Sequence, residues 1–95
     1  MPIGFVWDDE KAARNIRDHV GVTCEQAAAA FSDKFAVEWI DEREEYGEER
    51  SVLLGMTGRQ LLYVAYTEQG DTIRIISARR ATRLEQDLYY RQNAE

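Results

Sequence analysis

Three apolar, β-branched runs stand close together in the second half of this chain. Arg50 to Met56 and Leu61 to Thr67 are separated only by Thr57-Gly58-Arg59-Gln60, and Glu68-Gln69-Gly70-Asp71 leads into Thr72 to Ala78. Connections this short do not permit the long crossover that a parallel pair needs, so neighbouring runs must pair as antiparallel hairpins. A fourth run, Phe35 to Ile40, alternates Phe35, Val37 and Trp39 against Ala36, Glu38 and Ile40, and extends the meander at its front. Between it and Arg50 the acidic stretch from Asp41 to Glu49 reads as a solvated hairpin loop turning around Gly47.

The remaining segments change period. Ile3 to Trp7 reads as a short strand. Asp8 offers an N-cap, and Ala12 or Ala13, Ile16 and Val20 recur at helical spacing to about His19, with Lys11, Asn15 and His19 on an adjacent polar stripe. Gly21 breaks that helix. Thr23 with Gln26 forms a capping box for a short second helix through Phe31, which Ser32-Asp33 ends, and Thr82 with Glu85 forms another. Leu84 and Leu88 then mark one face of a C-terminal helix. The expected architecture is α+β: two N-terminal helices, a short N-terminal strand, an antiparallel meander of about four strands and a C-terminal helix, with the helices covering the apolar sheet face.

A chain of 95 residues, 44% of them hydrophobic, makes a single domain over residues 1–95 with one modest core. No apolar run reaches the ~20 residues of a membrane span and no signal-peptide layout opens the chain, which points to the cytoplasm and to no membrane partner. Cys24 and His19, each alone of its type, are too few for a structural zinc site, and no cofactor is expected.

Charge is unevenly spread. The chain carries a net −6, and Glu38 to Glu49 has seven acidic residues against Arg43. Arg74, Arg79, Arg80 and Arg83 nevertheless follow one another with no acidic residue between them. An overall negative charge opposes indiscriminate nucleic-acid binding, whereas clustered guanidiniums suit specific, bidentate recognition of phosphate. In simple alternation Ile73, Ile75 and Ser77 face one way and Thr72, Arg74, Ile76 and Ala78 the other.

Three blocks resemble the BrnT toxins of bacterial type II toxin–antitoxin modules: Phe5-Val-Trp-Asp with Lys11-Ala12, Asn15, His19 and Gly21-Val22; Gly47-Glu48-Glu49-Arg50 running into Val52-Leu53-Leu54-Gly55; and Arg74-Ile75-Ile76-Ser77-Ala78-Arg79 with Ala81-Thr82 and Glu85. The resemblance implies a RelE-like fold, a ribonuclease that arrests translation, and a cognate BrnA antitoxin that neutralises it and contributes DNA binding, so that DNA is met only through the antitoxin.

Metal-free RNA cleavage needs a base for the 2′-hydroxyl, an acid for the leaving 5′-oxygen and cations for the phosphorane. Arginine serves the last role and cannot readily serve as base. Arg74 and Arg79 are the candidates for the scissile phosphate, with Lys11, His19 or Glu49 transferring protons, and with Arg50, Tyr66, Arg80 and Arg83 as further RNA contacts. Trp39, Tyr63 and Tyr66 are the aromatics that a protein partner would cover. A second reading stays open, favoured by the net −6: a catalytically inactive binding module that holds an antitoxin in an autoregulatory complex on DNA, in which the arginines meet acidic side chains.

Overall fold

The computed structural model describes residues 4–7, 22–41 and 49–94. The helix expected over Asp8 to His19, and most of the acidic loop, lie outside the described residues. Within them the elements are β1 (Gly4–Val6), α1 (Cys24–Ala30), β2 (Val37–Asp41), β3 (Arg50–Thr57), β4 (Gln60–Gln69), β5 (Thr72–Arg80) and α2 (Arg83–Gln92). The α+β class follows directly, and β2 to β5 form the expected antiparallel meander.

Both tight turns have the chemistry that their sequences advertise. Thr57 pairs with Gln60 around Gly58, and Gln69 with Thr72 around Gly70. The two glycines sit at φ 59° and 62°, a left-handed conformation that costs a residue with a Cβ but not glycine. Both helices start on reciprocal capping boxes, Thr23 with Gln26 and Thr82 with Glu85.

The sheet departs from expectation in one respect: it is mixed rather than purely antiparallel. Strand order is β1-β5-β4-β3-β2, and β1 lies parallel to β5 with Phe5 opposite Ile73. β1 thereby shields an edge of β5 that would otherwise present unpaired backbone groups.

Two clusters pack the two faces. On the first, α1 lays Ala27 and Ala30 over Leu53, Leu62, Val64, Tyr66, Ile73, Ile75 and Ala78, with Phe5, Trp7 and Phe31 around them. Alanine on the helix permits close approach. Gly55 completes the fit, because a Cβ there would run into the Ala30 carbonyl oxygen and lie 2.8 Å from Leu53 Cδ2. On the second face α2 places Tyr89 and Leu88 against Leu54, Leu61, Trp39 and Met56. Of the two leucines expected on the packing side, Leu88 packs inward and Leu84 is 80% exposed, its place taken by Tyr89. Burying a side chain such as Leu54 or Leu62 contributes about 1.5–3 kcal/mol each.

Asp33 joins the elements together. Its carboxylate accepts from the Phe35 N–H at 2.9 Å, the Met56 N–H at 2.8 Å and the Tyr89 hydroxyl at 2.5 Å, so the end of α1, strand β3 and helix α2 meet at one charge.

Candidate functional site

Facing in β5 is decided by an irregularity in its pairing with β4. Ala65 pairs with Ser77, but the next residue, Tyr66, pairs with Ile75, so Ile76 is an extra residue in the strand. A β-bulge of this kind resets the alternation. Ile73 and Ile75 share the α1 face with Ala78, not with Ser77 as simple alternation predicts. Arg74 and Arg79, five residues apart and therefore on opposite faces of a regular strand, emerge on the same face.

Register assigns the neighbours on that face. Arg79 stands opposite Tyr63, and Tyr63 opposite Leu54. Ser77, Ala65, Val52 and Trp39 form the next row. Arg74 lies opposite Thr67. Arg50, paired with Asp41 across β2, follows one position beyond the Ser51–Tyr66 pair and so shares the face and end of the sheet with Thr67 and Arg74. The two arginines of β5 are thus separated by a row whose members nearest to them, Ala65 and Ser77, are small. Their rows lie four positions apart along β4, roughly 13 Å of strand.

Arg79 is held from three sides. Its two terminal nitrogens donate to the two Glu85 carboxylate oxygens, each at 2.8 Å. Its guanidinium also lies 3.9 Å from the Tyr63 ring centroid, and Nη1 reaches the Arg80 carbonyl at 3.3 Å. The Glu85 hydrogen bonds, acting against burial, raise the Arg79 pKa. Burial pushes Glu85 up, but the bonds from Arg79 and Thr82 outweigh it and hold the carboxyl below its ordinary range. Glu85 does two jobs with one carboxylate, since Oε1 also accepts from the Thr82 N–H at 2.8 Å as the capping partner of α2.

Arg74 is half-buried and its Nε lies 3.5 Å from Thr67 Oγ1. Glu49 is exposed immediately before β3 and borders a hollow of about 400 Å³ together with Ser51, Thr67 and Glu68. It therefore sits at the same end of the sheet as Arg74. Lys11 and His19 lie outside the described residues.

Tyr66 is not part of this constellation. It is 2% exposed on the α1 face, in edge-on contact with Phe31 at 5.0 Å between ring centroids, and its hydroxyl donates to Glu38. Burial and the Glu38 carboxylate push its pKa up. Even spacing along β4 sends Tyr66 with Val64 and Leu62 into the core, whereas Tyr63, on the other parity, joins the arginine face. Trp39 and Tyr63 meet there edge-on, 6.3 Å between centroids. Arg80 is exposed and pairs with Leu62 on the opposite side of β5 from Arg79, and Arg83 is exposed in the first turn of α2.

Three participants escape a reading of sequence. Glu85 is legible as a capping residue, Tyr63 as an aromatic that a partner would cover, and Asp33 as a helix terminator; each acquires its contact from another element. The spacing of a bulge likewise has no local signal. Among the described residues no three of His, Cys, Asp and Glu gather as a metal site would require.

The arrangement presents three guanidiniums on one sheet face, one of them stacked on an aromatic ring, with a carboxylate at the rim. Such a face can grip a phosphodiester and stabilise added negative charge. In comparison with known proteins, residues 7–85 match the family described as "Ribonuclease toxin, BrnT, of type II toxin-antitoxin system". No curated protein matches the chain.

Proposed function

Because the chain belongs to the BrnT family of type II toxin–antitoxin ribonuclease toxins, we propose that the face carrying Arg50, Arg74 and Arg79 is where RNA is bound and cut. The observation that carries this reading is the β5 bulge, which puts Arg74 and Arg79 on one side of the sheet. A regular strand would have divided them.

In the proposed reaction the substrate's own 2′-oxygen attacks the adjacent phosphorus as its proton passes to a base. The 5′-oxygen leaves with a proton from an acid. The products are a 2′,3′-cyclic phosphate and a 5′-hydroxyl. Arg74 binds the phosphate and offsets the charge that grows on its oxygens; Arg79, fixed by Glu85 and Tyr63, presents the outer side of its guanidinium to the same strand of RNA. Glu49 at the rim, Lys11 and His19 are the groups that can exchange protons, and no metal or cofactor takes part. The ribbon of small side chains at Ala65 and Ser77 leaves room for the sugar–phosphate backbone between the two arginines.

The mixed sheet with its flanking helices serves as a RelE-like scaffold in a single-domain protein of the cytoplasm. RNA cleavage arrests translation. A BrnA-type antitoxin neutralises the toxin by covering the arginine face, with Trp39 and Tyr63 as aromatic anchors, and brings the pair to DNA.

One observation favours the alternative, an inactive module that only holds its partner: Arg79 already has its fork filled by Glu85. The experiment that separates the two readings is incubation of the purified, partner-free chain with total RNA in chelator. Fragments with 2′,3′-cyclic phosphate ends, abolished in Arg74→Ala with an unchanged circular dichroism spectrum, support cleavage on this face. Intact RNA after incubation with folded wild-type protein would establish the binding module.

A further inference from the structure

Beyond Arg79, at the end of the sheet, lies a cavity of about 250 Å³ between the β3–β4 turn, the end of β5 and the side of α2. Arg59, Gln60, Leu61, Arg80, Gln86 and Tyr90 line it. Among the described residues neither Arg59 nor Arg80 makes a side-chain hydrogen bond or ion pair, in contrast to Arg79 with its bidentate carboxylate. Two guanidiniums line one hollow of a protein with net charge −6, and no carboxylate stands among the lining residues, which leaves the hollow suited to an anion.

The other walls narrow the choice of anion. Tyr90 is 56% exposed, and its ring is braced edge-on by Tyr89 at 5.3 Å between centroids, so one aromatic surface is held out to solvent. Gln86 spends its Nε2 on the Ala81 carbonyl at 3.4 Å, which fixes the amide and leaves its oxygen as an acceptor. The Ala81 N–H in turn bonds the Leu61 carbonyl at 2.9 Å, locking the floor. Cations, an exposed aromatic face and an amide are the parts that recognise phosphate, base ring and base edge. The volume falls below the ~300–1,000 Å³ of sites for drug-sized ligands.

We infer that this cavity is a second RNA subsite, holding one nucleotide of a single strand with its phosphate between Arg59 and Arg80 and its base against Tyr90. The inference rests on the proposed RNA-cutting function and extends it. It adjoins the arginine face, because Met56, Leu61 and Ala81 line the cavity and belong to the same packed cluster as Tyr63, on whose ring Arg79 stacks. A strand whose scissile phosphate lies at Arg74 and whose backbone runs on past Arg79 would pass a nucleotide farther along into this hollow.

The test is fluorescence anisotropy of a fluorescein-labelled 2′-O-methyl oligonucleotide, which binds but cannot be cut, over a series of salt concentrations. In Arg59→Ala/Arg80→Ala, affinity at low salt should fall at least tenfold and the slope of log affinity against log salt should shrink by about 0.7–1.4, one to two phosphate contacts. Tyr90→Ala should weaken binding about 5- to 100-fold with the slope unchanged, while Tyr90→Phe binds as wild type. These side chains are exposed, and equal thermal midpoints would confirm that the variants fold. Wild-type affinity and slope in the double variant would overturn the subsite while leaving Arg74-dependent cleavage intact. Loss of antitoxin binding in that variant with RNA affinity unmoved would also overturn it, assigning the cavity to a protein interface. A wild-type chain that neither binds the oligonucleotide nor cuts RNA would remove the parent reading and the subsite together.

Discussion

Arg79 and Glu85 face each other fork to fork across the junction of β5 and α2, with both nitrogen–oxygen distances at 2.8 Å and the Glu85 carboxylate simultaneously closing the capping box on Thr82. The pair is partly open to water, with side chains 32% and 18% exposed, so solvent screening limits its strength. It anchors the start of a helix whose exposed Leu84 and Tyr90 add little packing. A double-mutant cycle on Arg79→Ala and Glu85→Ala, read by chemical denaturation, should return a coupling of about 1 kcal/mol. Additive losses would mean that the pair contributes nothing beyond its separate members.

The activity of the arginine face depends on geometry as well as charge. Arg74→Ala should lower kcat/KM for RNA cleavage about 100- to 1,000-fold, the usual cost of removing one donor to a developing oxyanion. Arg74→Lys keeps the charge but loses the planar fork, and should fall between the two. Equal activity of the lysine variant and wild type, in a steady-state assay on a defined oligonucleotide, would reduce Arg74 to a point charge.

Acid should weaken the fold through two carboxylates. Asp33 is pushed up by burial, but the Tyr89 hydroxyl and the Met56 and Phe35 N–H groups more than offset this and hold it below its ordinary value; Glu85 is likewise depressed by Arg79 and Thr82. A depressed folded pKa contributes stability that is complete above the unfolded value and is lost as pH falls through the folded one. Denaturation midpoints should therefore be level from about pH 7 to 5 and decline below about pH 4. Asp33→Asn should flatten that decline as well as lower the plateau.

Tyr89 reports on the same contact from the other side. Burial and the Asp33 charge push its hydroxyl up to about 12, so it remains a donor throughout the neutral range. Tyr89→Phe keeps the ring and removes a hydrogen bond to a charged acceptor, for an expected loss of about 1.5–3 kcal/mol. Unchanged stability would show that water replaces the hydroxyl.

Gly55→Ala tests the contact between α1 and the sheet. An added methyl meets the Ala30 backbone and Leu53 Cδ2, and neither the helix nor the strand yields cheaply. The thermal midpoint should drop by an amount equivalent to about 1–3 kcal/mol. The same substitution at an open surface would cost nothing, so a neutral result would imply that α1 shifts outward freely.

Much of this molecule could be read from its residues alone, wherever a short-range rule decides the outcome. Gly58 and Gly70 set the two hairpins, Thr23 and Thr82 with their partners three residues on start both described helices, and the brevity of the turns forces the meander. The three blocks that resemble BrnT toxins point to the family that the match over residues 7–85 establishes. Tertiary structure alone decided the facing of Arg74 and Arg79, since an inserted residue at Ile76 depends on how β4 meets β5 and leaves no mark in the alternation of either strand. It also decided that Tyr66 is core and Tyr63 is not, that β1 joins β5 in parallel, and that Asp33 serves distant partners. Turns and caps are settled within four residues of chain; the sharing of a sheet face or a carboxylate is settled only when segments far apart in sequence compete for the same space.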